Sequence, residues 1–501
     1  MAATDASPRT EDLPVVPAAL DPAAGRVIWL LLGAAFVAIL NETTMGVAIP
    51  HLIDDLQITA VMAQWLTTAF MLTMAVVIPI TGFLLQRFTT RAVFVAAMAL
   101  FSAGTLLALL SPGFEMLVVA RVVQASGTAI MMPLLMTTLM TVVPPASRGR
   151  MMGRVSIVMS LAPAIGPTLA GLVLDTLSWR WIFGIVLPIA VAALVVGARW
   201  IRNLGETSRA PIDVLSIVLS ALGFGGLVFG LSQIGATDSH GPGAAAADGI
   251  AIVTLVSSLA VGVIALGLFV WRQLVLQRVD DALLDLRVFR SGNFSLSIGQ
   301  MALMSLAFFG TLTVLPLYLQ RVLGVSALET GLIVLPGSLA MGLAGPVIGR
   351  IYDRRGTRVL LVPGAIVTSA MLWAFTTVTA TTPIWMIAVA QTILSVGLAM
   401  SFTPLFTASL GSLTPRFYSY GSAVLGTVQQ VAGAAGIALM ITVFSAVTAN
   451  GEAAGLAAAD AGAAGARTAF LIGAIATVPL ILGAFFIRKP EDQPGDAATM
   501  H

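Results

Sequence analysis

The sequence predicts an all-α polytopic membrane protein of fourteen transmembrane helices, arranged six plus two plus six with both termini cytoplasmic. Three observations predict it. Of the 501 residues, 58% are hydrophobic and 10% charged, against about a quarter charged in a soluble domain, and the mean hydropathy is +0.99. Apolar stretches long enough to cross about 30 Å of hydrocarbon recur fourteen times. Basic residues gather on one side of those stretches, the asymmetry that orients a membrane chain. Water-soluble enzyme classes are excluded.

Residues 1–25 hold Asp5, Glu11, Asp12 and Asp21, four prolines and a single arginine. They lack the basic start of a cleavable signal peptide, which predicts a disordered cytoplasmic tail and an uncleaved first span. The spans lie near 27–50, 61–84, 92–111, 115–142, 150–174 and 180–201, then 213–234 and 249–273, then 294–319, 328–351, 358–379, 383–410, 420–447 and 467–487. They predict an N-terminal six-helix half (26–204), two inserted helices (205–282), a short amphipathic connector in LLDLRVFRSGN (283–293), a C-terminal six-helix half (294–488) and a cytoplasmic tail (489–501).

Of the 25 basic residues, all but four fall in the tails and the alternate loops of one side. The exceptions are Arg180, Arg321 and Arg467 opposite, and Arg121 within a span. Topology and contact with anionic lipid account for this charge, so the pI near 9.4 needs no nucleic-acid partner. Trp29, Trp179, Trp181, Trp200, Trp271 and Trp385 stand close to span ends, as interfacial aromatic anchors do. There is no cysteine, and three histidines in loops or tails assemble no metal site.

An internal repeat supports two homologous halves. GFLLQRFTTR places Gly82, Arg87 and Arg91 at offsets that Gly349, Arg354 and Arg358 repeat in GRIYDRRGTR, 267 residues on and after the second span of each six-span block. The glycines let helix ends approach. The arginines suit pairing with helix C-terminal carbonyls or neighbouring acids, which makes the loops a candidate cytoplasmic gate. Transporters built from such repeats bind substrate near the midplane between the halves.

The most informative residue is Glu42, in Leu40-Asn41-Glu42-Thr43-Thr44-Met45 of the first span. A carboxylate at membrane depth costs about 3 kcal/mol or more and is a functional candidate by default. Counted from Pro50 it lies roughly 12 Å deep, and Arg121, counted from Glu115, roughly 9 Å deep. Either Glu42 carries a proton or cation, or it is a carboxyl held by Asn41, Thr43 or water without such work. Arg121 is either its electrostatic partner or a structural arginine bonding backbone carbonyls. Gln124, one turn on, orients that arginine or joins two helices.

From about 26 to 488 the chain resembles the major facilitator superfamily, and within it the fourteen-helix drug:proton antiporters of the EmrB, QacA and LmrB type. The loop pattern and its echo match the superfamily signature. In LVVARVVQASGTA (117–129), Arg121, Gln124 and Gly127 match the family's buried arginine motif. On the fifth span, Gly153, Pro163, Gly166, Pro167 and Gly171 match the antiporter motif. In the first span Asn41 takes the place of the family's usual aspartate, with Glu42 next to it and Thr43 kept, a variant similar to the lincomycin-resistance branch. Gln86 replaces the first-half loop acid, so Asp353 is the surviving one.

The resemblance implies neighbouring first and fourth helices, with proton coupling through Glu42 and Arg121. It implies a proton-coupled multidrug efflux antiporter exporting amphipathic or cationic antibiotics, antiseptics and dyes by alternating access. The expected setting is a bacterial cytoplasmic membrane and the expected state a monomer, with protons, drug-like small molecules and lipid as partners and no cofactor beyond the proton gradient. A proton-coupled nutrient symporter and a lipid-handling membrane protein are the rivals. Met45, Gln64, Met71, Gln300, Phe308, Gln391 and Gln429 are the substrate-cavity candidates: soft or aromatic side chains that repack around varied ligands, and amides that are expensive to leave unpaired in hydrocarbon.

Overall fold

The computed structural model describes residues 22–201, 203, 213–233 and 244–490. Most of the two expected tails lies outside them. The first half is built from α1 (Pro22–Leu56), α2 (Ala60–Arg87), α3 (Thr90–Leu109), α4 (Phe114–Val142), α5 (Arg148–Thr176) and α6 (Arg180–Trp200). Two further helices follow, α7 (Val214–Gln233) and α8 (Ala244–Leu276). The second half comprises α9 (Gly292–Arg321), α10 (Ala327–Arg355), α11 (Arg358–Phe375), α12 (Ile384–Gly411), α13 (Tyr418–Ala453) and α14 (Ala458–Ala484). All fourteen are long and apolar enough to cross a membrane, and no strand occurs among the described residues.

Local sequence sets the helix starts. Thr59, Thr89 and Ser291 accept hydrogen bonds from the N–H groups of Met62, Ala92 and Phe294, and Ser326 with Glu329 forms a reciprocal capping box on α10. Pro79, Pro133, Pro188, Pro316, Pro336, Pro346, Pro363, Pro404 and Pro479 stand inside helices. Membrane helices tolerate them because neighbouring groups satisfy the freed carbonyls.

The largest departure from the apolar spans is at α13 and α14, whose expected ends at 447 and 467 leave a loop of twenty or so residues. Instead, α13 runs to Ala453 and α14 starts at Ala458. The alanine-rich stretch between is a good helix former although too polar to read as a span. Gly455, at φ +86, makes the turn in the left-handed region.

The halves meet through α5 against α10, α2 and α4 against α13, and α5 against α12. Small residues make the approach possible. A Cβ at Gly149, Gly153, Gly345 or Gly349 would strike the facing backbone across α5 and α10, and one at Gly82 would press on Ala423 and Tyr420 of α13. Hydroxyl pairs tie the same seam, Thr137 to Ser422 at 2.8 Å and Ser156 to Thr403 at 2.7 Å. All these contacts lie in the helix portions nearest the α2–α3 and α10–α11 loops, here called the arginine-rich end.

The inserted pair is a tight hairpin in which Gly223, Gly226 and Gly230 of α7 face Gly262, Leu266 and Leu259 of α8. It docks through α7 on α2 and α13. The connector forms two short 3-10 turns, Gln277–Val279 and Leu286–Arg290. Leu283, Leu284 and Val288 are buried there, while Arg287 pairs with Asp280 and Asp285, so it is a pinned strap.

Of the expected interfacial tryptophans, Trp29, Trp181, Trp200, Trp271 and Trp385 are exposed, and Trp179 is buried. Trp179 packs edge-on against Phe183 and under the Arg180 guanidinium. Its place at the turn into α6 points the ring inward, which nearness to a span end does not reveal.

Candidate functional site

Glu42 lies in the portion of α1 remote from the arginine-rich end, half-buried, with the fully buried Asn41 on one side and Thr43 on the other. Arg121 stands about two turns into α4, 1% exposed, and α4 packs against α1. The two are not in an ion pair. The guanidinium donates from Nη1 to Gln124 Oε1 at 2.7 Å and from Nε to Leu66 O of α2 at 3.5 Å. Its carbon sits 4.0 Å over the Phe70 ring. The donors of Arg121 are directed to α4 and α2, and a bidentate clamp on Glu42 is absent.

Gln124 does both things the sequence allows. Its Oε1 accepts from Arg121, and its Nε2 donates to Thr105 Oγ1 of α3 at 2.8 Å. That hydroxyl donates in turn to Phe101 O at 2.7 Å. The chain from α4 to α3 fixes the guanidinium plane, which matters because a buried charge without satisfied donors is costly. Gly104 and Gly127 allow this closeness, since a Cβ at either would strike the opposing backbone.

Around Glu42 the polar groups are otherwise unfilled. No donor among the described residues reaches its carboxylate, and both amide atoms of Asn41 are buried without a partner. Such orphaned groups are rare and call for a water, an ion or a working role. Thr43 turns back to its own helix, donating to Ile39 O and Leu40 O. Thr43 Oγ1 also lies where a Cβ at Gly166 would have to go. A motif glycine of α5 thus presses directly on the residue after Glu42.

The other motif residues divide. Gly153 belongs to the seam with Gly345 and Pro346 of α10, a Cβ at Gly171 would meet nothing within 4 Å, and Pro163 is half-buried. The Pro167 side chain lies outside the described residues. At the arginine-rich end Asp353 caps α5, its Oδ1 and Oδ2 accepting from Gly149 N and Arg150 N, each at 2.8 Å. At the corresponding place in the other half Gln86 donates from Nε2 to Arg416 O at 2.5 Å and Ser419 Oγ at 2.9 Å at the start of α13. Arg87 is half-buried and Arg91, Arg354 and Arg358 are exposed. None of the four forms an ion pair among the described residues, so the gate contacts run through Asp353 and Gln86 rather than through arginines.

The cavity candidates also separate. Met71, Phe308 and Gln429 are half-buried. Phe308 packs edge-on against Phe309 and Phe402 with centroids 5.1 and 5.7 Å away, and Phe402 stacks on Phe406. Met45 packs in the apolar cluster with Leu52, Leu66 and Leu117. Gln300 ties α9 to α14 by donating to Pro479 O at 3.1 Å. The Gln64 side chain lies outside the described residues. Gln391 is buried with Oε1 unpartnered.

Gln391 has a relation to Arg121 that the loop repeat does not reveal. IAVAQTILSVGLA (387–399) aligns with LVVARVVQASGTA (117–129) through Ala390, Gly397 and Ala399 against Ala120, Gly127 and Ala129, which puts Gln391 opposite Arg121. Gly127 packs under Phe101 of α3 as Gly397 packs under Thr368 of α11, so the alignment is also spatial. The first half has a cation at this place and the second a neutral amide. No group of three or more residues able to hold a metal occurs among the described residues.

The profile of the Major Facilitator Superfamily matches residues 31–437. The lincomycin resistance protein LmrB of Listeria monocytogenes is 40% identical over 469 residues, covering 92% of this chain and 96% of that protein. The MFS-type transporter YcnB of Bacillus subtilis is 40% identical over 465 residues, covering 93% and 95%. The multidrug resistance protein B homolog of Mycobacterium tuberculosis is 30% identical over 409 residues, covering 81% and 74%. Among solved structures, the FucP transporter in its outward conformation superposes with a TM-score of 0.61 at 14% identity, covering 94% of this chain and 100% of that one. With its fourteen apolar helices, two repeated halves and buried helix-four arginine, the chain belongs to the Major Facilitator Superfamily and is a multi-pass membrane transporter.

Proposed function

We propose that the protein is a proton-coupled efflux antiporter for amphipathic or cationic drug-like molecules, with lincosamides the first substrates to try. The observation that carries this reading is Glu42: a membrane-depth carboxylate with no hydrogen-bond donor among the described residues, beside the orphaned Asn41 amide and on a helix packed against the one that carries Arg121. A carboxyl so poised takes a proton when the site faces one side and yields it, or is displaced by a cationic substrate, when it faces the other. At 100 mV each proton crossing supplies about 2.3 kcal/mol. LmrB, 40% identical, is named for lincomycin resistance, which supports the substrate class.

The seam between the halves at the arginine-rich end supports an arrangement closed there and accessible from the opposite side. With that end cytoplasmic, this is the outward-facing state of an alternating cycle. Antiport fits the close α5 to α1 contact at Gly166, which ties the helix at the seam to the carboxylate segment. The phenylalanine ladder of α9 and α12 offers an apolar and cation-tolerant surface in the second half. Proteoliposomes carrying an imposed proton gradient test the reading. Lincomycin added to them should dissipate the gradient only when the protein is present, and an unchanged gradient across a panel of lincosamides, dyes and antiseptics would refute it.

A further inference from the structure

A cavity of about 560 Å³ opens at the arginine-rich end, between the start of α5, the first turn of α9, the end of α12 and the segment after α14. Three cations line it, Arg148, Arg488 and Lys489, and among the described residues no carboxylate does. Asn293, Ser412 and Thr414 add polar groups to the wall. Arg148 gives two of its five N–H donors to the carbonyls of Met140 and Val143. Lys489 gives one of three to Asp353 O. Arg488 makes no side-chain bond among the described residues, so most of the cationic donors lining this pocket have no protein partner there.

We infer that this cavity binds the phosphate headgroup of an anionic membrane lipid. Clustered guanidinium and ammonium groups beside hydroxyls match a phosphate by charge and by donor geometry. The location selects lipid over free phosphate. The cavity lies at the helix ends, where headgroups sit, and its rim carries Leu296 and Phe486, the latter 71% exposed, an apolar edge suited to the start of an acyl chain. The site also spans the halves: Arg148 belongs to the first, while Asn293, Arg488 and Lys489 belong to the second. A headgroup seated there holds the two together beside the Asp353 cap on α5, which favours the arrangement closed at this end.

Native mass spectrometry of the purified full-length protein in neutral detergent tests the site, with no dependence on what is transported. Phosphatidylglycerol should be retained in preference to phosphatidylcholine. The double substitution Arg488→Gln/Lys489→Gln should weaken that preference about tenfold or more, since each basic residue near an anionic lipid surface contributes roughly a factor of five. The charge-keeping pair Arg488→Lys/Lys489→Arg should retain it, which separates lost charge from lost folding. Equal retention of both lipids by the wild type, or an undiminished preference in the Gln pair, would overturn the proposal. Thermal stabilisation by millimolar inorganic phosphate, lost in the Gln pair and unaccompanied by a lipid preference, would overturn the lipid assignment in favour of a free anion.

Discussion

Gly166 of α5 lies against Thr43 of α1 so closely that a Cβ at Gly166 would collide with Thr43 Oγ1. The helix that forms the seam with α10 at one end therefore bears at its middle on the residue next to Glu42. Gly166→Ala should cost about 1–3 kcal/mol through overpacking and impair transport. Removing the hydroxyl with Thr43→Ala should recover much of both losses in the double variant. Melting temperature and lincosamide export, measured around the full double-mutant cycle, check this. Additive losses would place the clash elsewhere.

Arg121→Lys keeps the charge but cannot span Gln124 Oε1 and Leu66 O or lie flat over Phe70. A stability loss of about 1–3 kcal/mol is expected from the partners left unpaired, with transport sharply reduced. Thermal melting in detergent together with export in cells decides it. Wild-type values in both would leave Arg121 with a charge-only role.

Asp353→Ala removes the carboxylate that accepts from Gly149 and Arg150. A lost N-cap of this kind costs about 1 kcal/mol, here at the expense of the local closed geometry. Spin labels placed across α5 and α10 at the arginine-rich end should show a larger long-distance population in the variant. An unchanged distance distribution would remove the cap from the gating account.

The spans, the repeated loop motif and the membrane-depth position of Glu42 are legible in the sequence because hydropathy, repetition and a charge within a span are one-dimensional signals. Their partners are not. Gln86 reads as a lost acid, yet it reaches Arg416 O and Ser419 more than 300 residues away. Met45 and Gln300 look like their cavity neighbours, but the helix rotation that turns one into an apolar cluster and the other toward α14 is set by packing among small residues, which leaves no period to read. Arg121 could be placed at the depth of Glu42, and the choice between a direct pair and the Gln124–Thr105 chain needed the positions of α2 and α3.

Asp213, just before α7, accepts from Arg272 Nε at 2.7 Å and Nη2 at 2.9 Å. The Arg272 hydrogen bonds, aided by Ser216 and opposed by burial, hold its carboxyl below the ordinary value. A depressed folded-state pKa contributes stability above the unfolded value near 4, and that contribution is lost as pH falls through the folded one. Asp213→Asn should therefore lower stability by about 1–2 kcal/mol at pH 7, and the gap from wild type should close below about pH 4. Melting curves recorded against pH test the sign, and a gap that widens in acid would contradict it.

The most direct test of proton coupling is Glu42→Gln, which keeps the size and polarity of the side chain and removes its titration. Reconstituted protein should be compared in two assays, substrate counterflow without a gradient and uphill transport driven by an imposed pH difference. Coupling through Glu42 predicts that the variant retains counterflow and loses gradient-driven accumulation. Undiminished accumulation in the variant, with the same dependence on the pH difference as wild type, would contradict it.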